Sequence, residues 1–312
     1  MGAEGPWGDA FALRGLMSLT VITGLAAEAR IAVATHVTMI IGAGRAERLA
    51  ADLETAIARG AQRLLSFGIA GALAPQLQAG DLVVAQGVRA GPRRLSCDPV
   101  WRSAMSDRLQ GSSSSQPDES LSQPPSSGGL FRFGADEGWR PIAEAGGQSP
   151  SADIVGVDAP LADAAGKAAL FAATGAAAVD MESAIVARAA RRHGLPFAIL
   201  RVIADPAHRP LPSAALVAMR ADGEVDLAAV VGELIRNPGQ LPALIRLALD
   251  SRDAFSALVS ARALLGADFA SVDLANSIRQ DAENADSPRA VSHRDEVEFL
   301  AFGGRSRRLV GG

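Results

Sequence analysis

Four acidic residues lie just after apolar segments of this sequence, at positions that could form a catalytic site. They are Glu28, Asp180, Glu182 and Asp205. In an open α/β sheet, ligands bind beyond the carboxyl ends of the strands, so acids from distant segments can meet there. One carboxylic acid could protonate a leaving group while a carboxylate stabilises developing positive charge. Any one of these acids could instead cap a helix or face solvent, but their common placement predicts a shared crevice.

Three glycine turns accompany these acids, each directly after a predicted strand. They are Thr23-Gly24, Gly42-Ala43-Gly44 and Gly68-Ile69-Ala70-Gly71. Glycine lets backbone N–H groups approach a phosphate or a sugar closely, although it also simply closes tight turns. The turn at Gly42 is an incomplete dinucleotide fingerprint, because the third glycine position holds Glu47. An NAD-dependent oxidoreductase is therefore a weaker alternative.

The elements that must position these residues alternate between strand and helix patterns. Short β-branched or apolar runs predict strands at 19–23, 37–41, 63–67, 81–88, 176–179 and 197–203. Apolar residues at three- and four-residue spacing predict helices at 45–59, 162–173, 181–192, 226–235 and 242–264. This alternation predicts a three-layer α/β/α fold with a mixed, mostly parallel central sheet.

The chain of 312 residues fits one catalytic domain with additional segments. We expect this domain to span residues 18–267, preceded by a disordered leader at 1–17 and followed by a loosely ordered tail at 268–312. Residues 111–129 are rich in Ser, Pro and Gly, with a single Leu. Such a segment buries too little apolar surface to offset its chain entropy, which predicts a disordered insertion.

The composition excludes several classes of function. A net charge of −4 gives no basic footprint for nucleic acid. Cys97 is the only cysteine, which excludes an intrachain disulfide and fits a reducing compartment. The four histidines show no metal-ligand spacing, so we expect no metal. The apolar runs are too short for a transmembrane helix, and we expect a cytoplasmic protein.

Four short blocks of the sequence resemble a known family. They are Gly24-Leu25-Ala26-Ala27-Glu28, Phe67–Leu73 with Gly80–Val84, Ala178-Val179-Asp180-Met181-Glu182-Ser183, and Arg201–Asp205. In this order and spacing they are similar to the nucleoside phosphorylase and 5′-methylthioadenosine/S-adenosylhomocysteine nucleosidase superfamily. The resemblance implies a nucleoside phosphorylase-like fold and cleavage of the N-glycosidic bond of a purine nucleoside.

The resemblance also implies roles for individual residues. Asp205 matches the acid that protonates purine N7, and Glu182 matches the acid that binds the ribose hydroxyls. Met181 would pack beneath the sugar, Glu28 would position the attacking water, and Arg201 would lie near the nucleophile. Asp205 and Glu28 are thus the expected catalytic residues, and the other three are expected to bind substrate.

Backbone groups complete the expected site. Gly68 and Gly71 would line the sugar side, while Gly24 and Arg45 are candidates for binding phosphate. We expect no cofactor, and phosphate is the alternative to water as the nucleophile.

The sequence departs from the family pattern at three places. Ile69 stands where nucleosidase relatives often have Ser or Thr, and Ala204 replaces the Ser that precedes the catalytic acid. Both changes make the nucleophile site more apolar. No aromatic residue occurs at 158–160, where the base-stacking Phe of the family is expected.

A closer resemblance points to a particular substrate. Residues 206–218, 222–231 and 236–255 resemble the hopanoid-associated phosphorylase group, whose members are assigned to removing adenine from adenosylhopane. This implies a lipid-linked nucleoside substrate in hopanoid biosynthesis. The apolar stripe at 226–264 is expected to pack against the sheet, with peripheral contact to a membrane or a lipid tail as the alternative. Relatives are usually dimers or larger, so we expect a homo-oligomer.

Other functions stay open at this stage. A methylthioadenosine/S-adenosylhomocysteine-type nucleosidase or a general purine nucleoside phosphorylase would use the same residues. A non-catalytic nucleoside-binding module would keep the pocket, but the presence of both Asp205 and Glu182 favours an enzyme.

Overall fold

In the computed structural model, eleven strands of the described residues form one sheet. The structure describes residues 18–111, 129–134, 138–142, 151–218, 220 and 222–271. The strands are β1 (Leu19–Thr23), β2 (Val37–Ile41), β3 (Arg63–Ala72), β4 (Leu82–Val84), β5 (Gly87–Ala90), β6 (Arg93–Ser96), β7 (Gly129–Gly134), β8 (Gly138–Pro141), β9 (Ser151–Gly156), β10 (Ala176–Asp180) and β11 (Phe197–Asp205). The helices are α1 (Ala26–Ala32), α2 (Ala46–Ala58), α3 (Pro99–Leu109), α4 (Ala164–Thr174), α5 (Ser183–His193), α6 (Ser213–Leu216), α7 (Leu227–Arg236) and α8 (Leu241–Leu265).

The sheet is organised around the ten-residue strand β3. One edge of β3 pairs in parallel with β11, and the other pairs in parallel with β1 and then antiparallel with β10. Strand β2 adds to β1, and β9 and β5 continue in parallel from β10. Antiparallel pairs extend the sheet on both sides. Strands β4, β7 and β8 follow β11 on one side, and β6 follows β5 on the other. The sheet is mixed, as predicted, with a larger antiparallel share than the sequence indicated.

Helices cover both faces of this sheet. Leu64 and Leu65 are neighbours on β3 but belong to different apolar clusters, because successive side chains of a strand point to opposite faces. Leu64 clusters with side chains of α2 and α5, whereas Leu65 clusters with side chains of α3 and α8. This arrangement confirms the predicted three-layer α/β/α fold.

Two helices lead directly into the strands that carry the predicted acids. Asp163 caps the start of helix α4, where its side chain accepts a hydrogen bond from the Gly166 N–H at 2.6 Å. Gly175 caps the end of the helix and has a φ of +62°. Helix α5 ends in the same way at Gly194, with a φ of +64°. Glycine adopts this left-handed conformation without steric cost. These stops fix where β10 and β11 begin.

The loose tail was predicted to begin at residue 268, which is too early, because the residues that directly follow are buried. Phe269 is fully buried, and its carbonyl accepts a hydrogen bond from Trp101 Nε1 at 2.8 Å. Its ring also meets the ring of Phe67 edge-on, with 5.3 Å between centroids. The first residues after α8 are therefore part of the core, because one aromatic anchor outweighs their polar surroundings in the sequence. Residues 272–312 lie outside the described residues.

Other segment predictions fall partly or wholly outside the described residues. The predicted leader at 1–17 does so entirely, and the predicted insertion at 111–129 does so except for Gly111 and Gly129. The β7–β8 hairpin has no counterpart among the predicted elements. It buries Phe131 and Trp139 against the sheet, but a few aromatic residues in a polar stretch are a weak strand signal.

The apolar stripe predicted to pack against the sheet does so over only part of its length. In α8, Ala254, Leu258 and Leu265 are buried, whereas α7 has no buried residue. Three apolar side chains of α7 and three of the first half of α8 are exposed instead. They are Leu227, Val231, Ile235, Leu241, Ile245 and Leu249, which we call the apolar ridge. None of the described helices meets the length and apolarity needed to cross a membrane.

Candidate active site

The carboxyl ends of three neighbouring strands bring the predicted residues together. Strand β10 leads into Glu182, β11 ends at Asp205, and β3 runs between them. Gly71 of β3 pairs with Val179 on one side and with Asp205 on the other. Since adjacent strands lie about 4.8 Å apart, the β10 and β11 backbones here are about 10 Å apart. The two acids therefore flank a short glycine-containing stretch of β3.

Arg201 is the positive centre of one half of this site. Its side chain is fully buried, and its Nη2 lies 2.5 Å from Asp180 Oδ2 and 3.5 Å from Glu182 Oε2. The same nitrogen donates to Ser66 Oγ at 2.7 Å. Its Nε and Nη1 atoms, which are also buried, have no hydrogen-bond partner among the described residues. The guanidinium thus keeps donors free for a further group at the site.

Glu182 shares this arginine with another acid. Burial raises the pKa of Glu182 to about 7, with Arg201 opposing the rise and Asp180 and Glu28 adding to it. Asp180 lies closer to Arg201 and also accepts hydrogen bonds from the Ser183 N–H and hydroxyl. Glu182 therefore changes its protonation state near neutral pH, because the effect of burial outweighs the opposing charge of Arg201.

Glu28 is buried beside this cluster, where backbone donors hold it. Its Oε2 accepts from the N–H groups of Gly24 at 2.7 Å and Leu25 at 2.8 Å, and its Oε1 accepts from Ile69 N–H at 2.7 Å. A Cβ atom on Gly68 would lie 2.4 Å from Oε1, so only glycine fits there. Burial raises the pKa of Glu28, while Arg201 and the three N–H groups lower it. Glu28 is thus fixed against Gly68 and Ile69, which are part of strand β3 and not of the glycine turn that the sequence predicted.

Asp205 has a different partner, on the other side of β3. Its Oδ2 lies 2.5 Å from the Nζ of Lys167, which is fully buried in α4. Burial raises the pKa of Asp205, and the hydrogen bond and charge of Lys167 lower it. A Cβ on Gly71 would lie 3.4 Å from the same carboxylate oxygen. The acid is held between a lysine and a glycine of β3.

The first two glycine turns approach Glu182 from β1 and β2. A Cβ on Gly24 would lie 3.0 Å from Glu182 Oε1, and one on Gly42 would lie 3.1 Å from its Cγ. A small cavity beside Glu182 is lined by both Arg45 and Met181. These turns have a direct role in forming the site, because larger residues would collide with Glu182.

A larger cleft among the described residues lies elsewhere. It has a volume of about 840 Å³, and β2 and α2 supply most of its lining. Of the residues that line it, Arg45 alone also lines the cavity beside Glu182. The buried acids are absent from its lining, so we place the active site at the strand ends and not in this cleft.

Comparison with known proteins places the chain in a family. The profile of the phosphorylase superfamily matches residues 2–236. The chain belongs to the phosphorylase superfamily. No curated protein sequence matches the chain.

Solved structures share the fold of this superfamily member. Futalosine hydrolase of Helicobacter pylori is 13% identical with a TM-score of 0.52, and the match covers 81% of this chain and 97% of that protein. A 5′-methylthioadenosine/S-adenosylhomocysteine nucleosidase from Neisseria meningitidis, in complex with methylthio-immucillin-A, is 15% identical with a TM-score of 0.52. That match covers 80% of this chain and 98% of that one.

All of the site residues predicted from the sequence lie around these strand ends in this phosphorylase-superfamily fold. Sequence reasoning missed Lys167, Ser66 and the part that Asp180 plays in binding Arg201. Lys167 did carry a signal, because it is the only lysine in the sequence and lies in an alanine-rich helix pattern. Cys97 is buried, and burial raises the pKa of its thiol, which argues against a nucleophilic role.

Proposed function

We propose that this protein cleaves the N-glycosidic bond of a purine nucleoside, with Asp205 at the base and Glu182 at the ribose. The observation that carries the proposal is the placement of these two buried acids on either side of Gly71. Asp205 is paired with the buried Lys167, and Glu182 lies near the buried Arg201, which it shares with Asp180. A purine–ribose linkage laid across β3 would have one acid at each end.

The base end requires a proton donor. A purine leaves poorly as an anion, so its N7 must receive a proton or a strong hydrogen bond. Burial raises the pKa of Asp205, which favours the protonated carboxyl. When Asp205 transfers this proton to N7, the new carboxylate lies beside the Lys167 ammonium. The site therefore stabilises Asp205 after the transfer.

The sugar end requires negative charge. The ribose becomes an oxocarbenium-like cation as the bond breaks, and a carboxylate on its hydroxyls stabilises that charge. Glu182 is the acid placed for this role, with Met181 beside it as the apolar floor under the sugar. Gly24, Gly42, Gly68 and Gly71 keep this side open, because any Cβ atom there would approach the acids.

The nucleophile would bind at Arg201. Its buried Nε and Nη1 atoms have no partner among the described residues and could hold a water molecule or a phosphate oxygen. Glu28 lies within the same electrostatic cluster and would orient water, whereas Gly24 and Arg45 would contribute to phosphate binding. The apolar Ile69 and Ala204 at this place leave few other polar side chains to bind phosphate. We therefore propose hydrolysis ahead of phosphorolysis.

Adenosylhopane is the substrate that we propose, on the resemblance to the hopanoid-associated group. The apolar ridge supports a lipid-linked nucleoside, because its six side chains repeat every four residues on two helices and are 47–76% exposed. The segment leading into α7 is close to the site, since the Gly223 carbonyl accepts from Ala26 N–H at 3.0 Å. A lipid tail or membrane surface could thus contact the ridge while the nucleoside enters. A cytoplasmic location and a homo-oligomeric state stay predictions of the sequence.

Product analysis tests this function. The purified protein is incubated with adenosylhopane, 5′-methylthioadenosine or inosine, with and without phosphate, and the products are identified by mass spectrometry. We expect the free purine base (adenine, or hypoxanthine from inosine) and a reducing sugar in both conditions, with adenosylhopane as the best substrate. A sugar 1-phosphate that appears only with phosphate would reassign the nucleophile, and no purine release from any of the three would overturn the proposal.

A ridge variant separates the lipid-linked substrate from the reaction itself. Leu227→Ser with Ile235→Ser should slow adenine release from adenosylhopane in phosphatidylcholine vesicles at least fivefold and leave 5′-methylthioadenosine cleavage unchanged. Ala228→Ser with Ala243→Ser changes exposed positions of the same helices outside the ridge and serves as the control. Equal rates on adenosylhopane for the two double variants would remove the ridge from the proposal.

A further inference from the structure

Lys167 is an unusual side chain for its position in the fold. It is the only lysine of the sequence and the only buried residue of α4, with no exposed surface. Burying an ammonium group costs several kcal/mol unless other groups compensate for its lost hydration. A side chain that fills space at this position could be any aliphatic residue. The presence of a lysine therefore calls for an explanation from its contacts.

The contacts of Lys167 match the three donors of an ammonium group. Its Nζ donates to Asp205 Oδ2 at 2.5 Å and to the carbonyl oxygens of Pro206 at 3.2 Å and Arg209 at 2.9 Å. An ammonium group has three N–H donors and no acceptor, so all three donors are used. The lysine thus binds the Asp205 carboxylate and the segment that follows it.

The other charged groups near Asp205 do not replace this contact. Asp250 of α8 opposes ionisation of Asp205, and Arg209 favours it more weakly than Lys167 does. Asp250 and Arg209 form an ion pair with each other, so their charges largely cancel. Lys167 is therefore the cation that matters most at the base end of the site.

We propose that Lys167 is a positioning residue that orients Asp205 and sets the pH range over which Asp205 can donate its proton. This inference rests on the proposed function, in which Asp205 protonates the purine. The proton moves from the Asp205 carboxyl to N7, the N-glycosidic electron pair leaves with the base, and the resulting carboxylate is paired with Lys167. The ammonium keeps its own three protons throughout and lowers the energy of the state that follows proton transfer.

Substitution of the lysine tests the proposal. Lys167→Met keeps the length of the side chain and removes the charge, so the pKa of Asp205 should rise. An opposite charge at this distance lowers the pKa of an acid by about 1–3 units. We expect the alkaline limb of kcat/KM for adenine release to move up by at least about one pH unit. We also expect kcat to fall at least tenfold with little change in KM.

Two further variants make the result specific. Lys167→Arg keeps the charge and should leave the alkaline limb within about half a unit of the wild type, with a lower kcat because the guanidinium cannot reproduce the three contacts. Leu170→Ala weakens the packing of the same helix without touching Asp205, and should lower the thermal stability with an unchanged pH profile. If Lys167→Met behaves like Leu170→Ala, the lysine is only structural and the inference is wrong.

A direct titration separates this inference from the proposed function. The carboxyl signal of Asp205 is followed by ¹³C NMR in labelled protein and assigned by its loss in Asp205→Asn. Its pKa should be higher in Lys167→Met than in the wild type, or in Lys167→Gln if the Met variant does not fold. An unchanged pKa overturns the inference even if the enzyme is active. No purine release by the wild type, together with a raised pKa in the variant, would overturn the function alone.

Discussion

The base end and the sugar end of the site handle a buried acid in different ways. Asp205 is paired with Lys167, which has no other side-chain partner among its hydrogen bonds. Glu182 shares Arg201 with Asp180, which lies 1.0 Å closer to the same nitrogen at 2.5 Å against 3.5 Å. One acid thus has a cation to itself, and the other competes for one.

This difference suits the two halves of the proposed reaction. A proton donor must lose its proton and become a carboxylate during the reaction, so a dedicated cation stabilises its product state. An acid that binds two neutral hydroxyl groups and then a developing cation must not be neutralised by its own arginine. Asp180 is the closer partner of Arg201, so the arginine does not form a tight pair with Glu182. Burial raises the pKa of Glu182 to about 7, so its carboxylate is available to the sugar from about that pH upwards.

The largest effect should come from Asp205. Asp205→Asn removes the ionisable proton but keeps the shape of the side chain, so turnover should fall at least 100-fold, in line with loss of general acid catalysis. Adenine release and thermal melting are measured together to show that the variant is folded. Asp153→Asn, a change of another buried acid that pairs with Arg94, is the matched control and should keep most of the activity. A near-normal rate for Asp205→Asn would refute the role of this acid.

Glu182 should give a smaller loss with a different signature. Glu182→Gln removes the negative charge that stabilises the ribose, so kcat should fall about 10–100-fold. KM should rise, because an amide oxygen accepts hydrogen bonds from the hydroxyls more weakly than a carboxylate does. Both kcat and KM are measured with the nucleoside and with its 2′-deoxy analogue. The wild type should discriminate between the two substrates, and the variant should discriminate much less. Unchanged discrimination would place the ribose contact on another residue.

The acids could be predicted from the sequence because each one follows a recognisable strand. Glu182 and Asp205 come directly after the apolar runs that form β10 and β11, and the glycines come at the end of β1 or within β3. Strands β3 and β11 are parallel, so their carboxyl ends meet at one edge of the sheet. Strand β10 joins them through an antiparallel pairing with the last residues of β3, which the alternation of strands and helices did not predict. The fold class followed from the same alternation of strands and helices.

The partners of the acids could not be predicted, because they depend on three-dimensional packing. Lys167 is 38 residues from Asp205 in the sequence, and its contact depends on how α4 is rotated about its axis. The exposure of the apolar ridge could not be predicted either. The spacing of apolar residues in α7 is the same for a helix face that is buried and for one that is exposed. Phe269, a single aromatic residue in a polar segment, carries no periodic signal at all.

A moderate effect should come from the acid that competes for Arg201. Asp180→Asn removes a neighbouring negative charge and frees Arg201 for Glu182, so the pKa of Glu182 should fall from about 7. The limb of the pH–rate profile that reports Glu182 should move to lower pH, with a change in kcat of less than about tenfold. Ser183→Ala removes a hydrogen bond to Asp180 but no charge, and should leave this limb in place. An upward shift in Asp180→Asn would show that the arginine is not shared as described.

The smallest effect is on stability, and its sign follows from the burial of Glu182. The pKa of Glu182 rises from an ordinary value of 4.5 to about 7 on folding, so the folded protein keeps a proton that the unfolded chain loses. The stability that this proton adds is complete below about 4.5 and is lost as the pH rises through about 7. The free energy of unfolding of the wild type, relative to Glu182→Gln, should therefore fall over this range in urea titrations. Glu54→Gln is the contrasting control, because Arg192 and His193 lower the pKa of that exposed acid and its contribution should not fall over the same range. If the difference in unfolding free energy between wild type and Glu182→Gln stays constant from pH 4.5 to 7, the pKa of Glu182 is not raised on folding. The charge of Arg201 would then fully offset the effect of burial.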